Sequence, residues 1–170
     1  MCIRDRSYYM YTEASSGNDN KEAIMYVSCV DPLAWNQLSF VLAYHMRGTN
    51  MGSLTVDVST DSGNTWIQEW TISGNQGNQW NEVQLDLGAY TQDISVRVHA
   101  QTGNGYSSDI AIDLLRFEEY PVSGCIDPTA SNFDPLATID DGSCLYNGCT
   151  DVYAANYCSG CNVTDNLSLI

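Results

Sequence analysis

The residues of this chain that could do chemistry fall into three groups. The first is His45 and His99, the only histidines, each on its own alternating stretch, with no H-E-x-x-H to bring two of them onto a metal. The second is the nucleophiles. Ser107 and Ser108 stand beside Asp109 but outside any nucleophile-elbow frame. Cys29 would need a base next to it and is read instead as a core thiol or half of a bridge. The third group crowds the C-terminal part. Cys144, Cys149, Cys158 and Cys161 include a C-x-x-C whose bite suits one zinc ion. Asp127, Asn132, Asp134, Asp140 and Asp141 are hard oxygen donors of the kind that calcium gathers in sets of about six to eight.

Composition narrows the choice. The 170 residues carry a net charge of −15, which argues against phosphate-rich nucleic acid and against insertion at an anionic membrane surface. No run of apolar residues is long enough to span a bilayer. After Arg116 there is no Lys or Arg, and five of the 7 cysteines follow it. Such a cluster in a loop-rich segment points to disulfides and an oxidising compartment, with Cys125, Cys144, Cys149, Cys158 and Cys161 as candidates. Residues 1–7 and 167–170 are read as non-native ends and set aside.

The elements that position these groups are strands. Leu38, Phe40, Leu42, Tyr44 and Met46 alternate with Ser39, Val41, Ala43 and His45, which predicts a half-buried strand. Leu54, Val56 and Val58, then Val83, Leu85 and Leu87, Ile94, Val96 and Val98, and Ile110, Ile112 and Leu114 repeat the pattern. RGTNMG, TDSGN, SGNQGN and QTGNGYSS punctuate it as turns. The reading is all-β: a jelly-roll-like antiparallel β-sandwich with a small disulfide-tied, loop-rich acidic tail. STDSGNTW (59–66) resembles the Asp-box of sialidase propellers. It occurs once, in a domain whose only arginines are Arg47, Arg97 and Arg116, so it is read as a hairpin turn in which Asp61 accepts from its own loop and Trp66 covers it. Trp66 and Trp80 are both taken as core or turn-covering residues.

Four stretches, YMYTEASSG (9–17), AYHMRGTNMGSLTV (43–56), SGNQGNQWNEVQLDL (73–87) and GYSSDIAIDLLRF (105–117), together resemble the MAM domain, an extracellular β-sandwich module. The resemblance implies recognition or adhesion without catalysis. It also implies a structural cation near the domain's ends, with Asp113 at the matching carboxylate. The chain departs from the family pattern in three respects. Leu114 follows Asp113 where a second Asp is usual, most of the family's cysteines are missing, and the first strand is lacking.

GCIDPTASNFDPLATIDDGSC (124–144) and GCTDVYAANYCSGCNVTDN (148–166) align Cys125 with Cys149 and Asp141 with Asp165, an internal repeat of period 24. Both resemble thrombospondin type 3-like repeats of secreted marine bacterial proteins. A Cys125–Cys144 bridge would stabilise such a copy by about 3 kcal/mol.

The resulting expectation is a sandwich over 8–118, a linker at 119–123 and acidic copies at 124–147 and 148–166. It would serve as a non-catalytic recognition module of a larger secreted or surface protein, on a stalk that binds Ca²⁺. Its partner would be a protein or glycan. The alternative is a carbohydrate-binding accessory module of a hydrolase or protease. Trp35, Tyr106, Asn50, Asn75 and Asn78 are the expected ligand contacts.

Overall fold

One strand organises the first half of the chain. In β3 (Leu38–Met46), Leu38, Phe40, Leu42, Tyr44 and Met46 point into the interior and are buried. Alternate residues of a strand face opposite ways, so Ser39, Val41, Ala43 and His45 are committed to the outer face. The computed structural model describes residues 9–153 and 155–164. They form two units, one ending at Tyr120 and the other beginning at Pro121.

The first unit contains β1 (Met10–Tyr11), β2 (Glu22–Val30), β3, β4 (Ser53–Ser59), β5 (Ile67–Ser73), β6 (Asn81–Asp86), β7 (Ile94–Gln101) and β8 (Ile110–Glu119). Two antiparallel sheets result, ordered β1-β8-β3-β6 and β2-β7-β4-β5. A single 3-10 turn, Pro32–Ala34, is the only helical piece among the described residues. The inward residues of β3 form one core with Leu54, Val56 and Val58 of β4 and Ile94, Val96 and Val98 of β7. Burying each such side chain contributes roughly 1.5–3 kcal/mol. The all-β sandwich is therefore the observed fold.

The expectation of a half-buried β3 needs correction, because Ser39, Val41 and Ala43 are 0%, 0% and 2% exposed. The strand is internal to its sheet, and long polar side chains close over its outer face. Gln84 Nε2 donates to Ser39 Oγ at 2.9 Å. Ser39 Oγ donates to the Glu118 carbonyl at 2.8 Å, and Arg116 Nε reaches Glu118 at 2.7 Å. Cys29 is also corrected. It is an exposed free thiol at an irregularity between Val27 and Val30, with φ of 58°, so the bulge turns it outward.

The loop at 59–66 closes the hairpin from β4 to β5. Asp61 accepts the Thr65 N–H at 2.8 Å, the Thr65 hydroxyl at 2.7 Å and the Ser59 hydroxyl at 2.8 Å. Gly63 has φ of 90°, and the Trp66 ring lies so near that a Cβ there would sit 3.3 Å from it. Trp66 Nε1 donates to the Gly63 carbonyl at 3.0 Å.

Among its described residues, the second unit has two-residue strands and no large core. β9 (Ser123–Gly124) pairs in parallel with β10 (Ile139–Asp140), and β11 (Asn147–Gly148) with β12 (Val163–Thr164). The same contacts recur a repeat apart. Cys125 bridges Phe133 as Cys149 bridges Tyr157. The Val122 carbonyl accepts from Thr138 N–H at 2.8 Å as the Tyr146 carbonyl does from Asn162 N–H at 3.0 Å. Cys125–Cys144 closes the first copy, and Cys158–Cys161 forms in the second. Cys149, expected to be bridged, is a buried free thiol. With Cys144, Cys158 and Cys161 in disulfides, the four-thiolate zinc arrangement is not formed.

Two outcomes follow. Replacing Cys125 and Cys144 together by Ser lowers the stability of the first copy by about 3 kcal/mol. Proteolysis then opens residues 121–145 while the sandwich stays intact, as limited digestion with mass spectrometry will show. In the hairpin, the Thr65 backbone N–H above all holds the Asp61 carboxyl down to about 2. Stability from that group is full above the ordinary carboxylate value of about 4 and is lost as pH falls towards 2. Between those pH values the melting temperature of the wild-type sandwich therefore drops more than that of Asp61→Ala, read by circular dichroism.

Candidate recognition site

Three loops leave the sandwich at one end because of strand register. Met46 at the end of β3 pairs with Ile110 at the start of β8. Ser53 at the start of β4 pairs with both Ser73 and Gln101, the last residues of β5 and β7. The segments 47–52, 74–80 and 102–109 therefore meet. Their backbones touch: a Cβ on Gly48 would lie 1.8 Å from the Ser107 carbonyl oxygen, and one on Gly103 1.7 Å from that of Asn50. Only glycine permits such approach. Gly74 N–H donates to the Gly52 carbonyl at 3.0 Å, and Gln76 N–H to the Met46 carbonyl at 2.7 Å.

Side chains complete the lock. Asn50 Nδ2 donates to Asn104 Oδ1 at 3.0 Å, and the Ser107 hydroxyl donates to Asn50 Oδ1 at 3.1 Å. Asn75 Oδ1 accepts Gly48 N–H at 3.3 Å and Gly77 N–H at 3.2 Å. Asn50 and Asn75, expected to contact ligand, thus spend their oxygens holding the loops. Tyr106 stands out of this network at 79% exposure. Trp35 lies at the opposite end of β3, half-buried against the core. The turn capped by Asp31 folds it back, its N–H on the Pro32 carbonyl at 3.2 Å.

A second surface was missed. On the outer face of the first sheet, Tyr11 faces Ala111, and Ala111 faces His45. Trp80, one step beyond the pair Tyr44–Asn81, stacks its ring 5.7 Å from that of His45. Tyr9 lies 5.5 Å from Trp80 and 6.2 Å from Tyr11. Asn78 Oδ1 is 3.4 Å from His45 Nε2, so this expected contact residue orients the imidazole. Trp80 is thus not a core or turn cover. The signal was parity: Trp80 shares the outward register of Glu82, Gln84 and Asp86, opposite to Val83 and Leu85.

Neither histidine meets a serine nucleophile. His99 Nε2 is 3.7 Å from Glu22 Oε1, while Ser107 binds Asn50 and Ser108 accepts from Gly103 N–H at 2.9 Å. An apolar cleft of about 610 Å³ between β1 and β2 is lined by Met10, Met25, Val98 and Ile110 and offers burial, not acid–base groups.

The donors expected for calcium do not converge. Among the described residues no three His, Cys, Asp or Glu side chains form a group that could hold a metal. In the tail each aspartate closes its own turn: Asp127 accepts Thr129 N–H at 2.8 Å, Asp134 Leu136 N–H at 2.9 Å, Asp140 Gly142 N–H at 3.0 Å and Asp141 Ser143 N–H at 2.9 Å. Bonds from the Tyr146 hydroxyl and Thr129 hold the Asp127 carboxyl below its usual range. Asn132 ties the Ser143 carbonyl and Leu145 N–H. Asp113 belongs to the first sheet, where Oδ1 accepts the adjacent Leu114 N–H at 2.7 Å. As arranged, these residues do not fit a six- to eight-oxygen cage.

Comparison with known proteins gives consistent relatives. Neuropilin-1 of Xenopus laevis is 27% identical over 150 residues, 87% of this chain and 16% of that protein. Thyroid hormone-induced protein B of Xenopus laevis is 31% identical over 127 residues, 74% of this chain and 18% of that protein. The MAM domain-containing glycosylphosphatidylinositol anchor protein 1 of Rattus norvegicus is 30% identical over 107 residues, 62% and 11%. The chain thus spans less than a fifth of each. Among solved structures, the sugar-binding EclA C-terminal domain overlaps at TM-score 0.47 and 10% identity, covering 69% of this chain and 82% of that one. Residues 3–122 match the model of the MAM domain, meprin/A5/mu, and the chain belongs to that family.

Proposed function

We propose that the chain is a non-catalytic recognition module of a larger secreted or cell-surface protein, and that it binds a protein partner through the loop end that displays Tyr106. One observation carries this reading. On a chain of net charge −15, Arg47 and Asp109 are the only ionised side chains among residues 47–52, 74–80 and 102–109, and their charges cancel. A protein surface can approach there with least Coulombic opposition. The loops are tied to one another before any partner arrives, so binding costs little ordering entropy. An exposed tyrosine supplies a rigid anchor of the type that dominates interface energetics. The family membership and the cell-surface anchor named in one relative support the same setting.

The second unit acts as a spacer similar to thrombospondin type 3-like repeats. Its two copies repeat one small fold, stitched by disulfides that an oxidising compartment maintains.

A second copy of the chain is the first partner to test. Sedimentation velocity is expected to show reversible self-association that Tyr106→Ala weakens at least about tenfold, as loss of an interface anchor does. EGTA leaves it unchanged. Strong binding on a glycan array with no protein-dependent association would instead establish the carbohydrate-binding alternative.

A further inference from the structure

The two sheets display similar ingredients on their outer faces, and among the described residues only the second sheet places a cation over a ring. On the second sheet Tyr26, Arg97 and Asp57 form a row across β2, β7 and β4. The Arg97 guanidinium lies 4.5 Å over the Trp66 ring, with Nε donating to Asp57 Oδ2 at 2.6 Å. The Tyr26 ring stands 5.8 Å from Trp66. Two rings, a carboxylate and a guanidinium satisfy one another.

The first sheet has the rings and the carboxylates. Tyr9 and Trp80 meet at 5.5 Å with planes at 69°, and Tyr9 is 52% exposed. Asp113 and Glu82 flank Ala43 in a single row across β8, β3 and β6. Asp113 Oδ2 is screened from water and has no hydrogen-bond partner. Glu82 is half exposed, with Arg116 Nη2 at 3.4 Å, and that arginine is committed more closely to Glu118 at 2.7 Å. No cation lies over the Tyr9 and Trp80 rings among the described residues.

We propose that this face binds a guanidinium or ammonium side chain from a basic segment of a partner protein. The cation stacks on the Tyr9–Trp80 pair and bonds Glu82, and the uncompensated charge of Asp113 deepens the negative potential beside the rings. Anionic ligands are repelled by the chain's net charge of −15. A neutral sugar would use the rings alone and leave Asp113 uncompensated. A cation answers both features, since ring faces attract cations as carboxylates do. The surface adjoins the loop end at Trp80 but leaves out Tyr106, so either reading can fail without the other.

The test titrates the full chain with the peptide Ac-GRGRG-NH2 and with its citrulline counterpart, which keeps the shape and loses the charge. The readout is the Trp80 indole N–H resonance, assigned by its disappearance in Trp80→Phe. The arginine peptide is expected to move that resonance and bind at least about threefold more tightly than the citrulline peptide. Glu82→Gln, a conservative change at an exposed site, removes most of that difference, and Tyr9→Ala weakens the binding that the Trp80 resonance reads. Equal binding of the two peptides overturns the proposal. So do shifts confined to the Tyr106 loop, or a larger Trp80 response to cellohexaose than to the arginine peptide.

Discussion

Every surface of the sandwich depends on one geometric constraint, the alternation of side chains along β3. Once Leu38, Phe40, Leu42, Tyr44 and Met46 are committed to the interior, register fixes what stands outside. A slip of one residue would carry five large side chains into water and bring Ser39 and His45 inside, so the hydrophobic effect penalises any other register heavily. The same register sets Met46 opposite Ile110, which draws three loops to one end. It also sets Ala43 between Asp113 and Glu82, which builds the acidic row beneath the aromatic group.

The sandwich and the tail solve stability differently. The first unit offsets chain entropy with a continuous apolar core. The second has Cys125, Ala130 and Cys149 as its buried hydrophobic residues and holds itself with disulfides and side chain-to-backbone turns. Its aspartates therefore serve mainly as backbone acceptors. Each closes a two-residue loop on itself, and that use of the carboxylate explains a dense acidic sequence that gathers no cage of ligands.

Legibility followed the physics of alternation. β3, β4, β6 and β7 were readable because one parity carries the large apolar side chains; β8 was readable only as far as Ile112, because a bulge at Leu114 (φ 55°) switches the parity and packs Leu115 and Phe117, not the expected Leu114, on the core. β2 was not, because Ala23, Ile24, Met25, Tyr26 and Val27 are apolar on both faces: Met25 packs on the core while Ile24 and Tyr26 lie exposed. Trp80 was misjudged by its bulk, although its parity with Glu82 and Gln84 pointed outward. The partial packing of Trp35 on the core was not legible, because it depends on the turn at Pro32–Ala34 that folds it back. The disulfide of the first copy was legible from the sequence, whereas the second copy was not, because Cys158 and Cys161 pair with each other and leave Cys149 a free thiol. Polar loops such as RGTNMG gave no hint of how closely they interlock, because the contacts are backbone to backbone.

The account's central claim is that the loop end is set before any partner arrives. Amide hydrogen exchange on the free chain tests it most directly, since locked amides exchange only through opening. The N–H groups of Gly48, Gly74 and Gln76, bonded across loops, and of Gly103, bonded to Ser108 within its own loop, should exchange far more slowly than an unstructured chain. Exchange of these four at the unprotected rate, with β3 and β7 still protected, would contradict it and leave a sandwich whose loops are shaped only by what they bind.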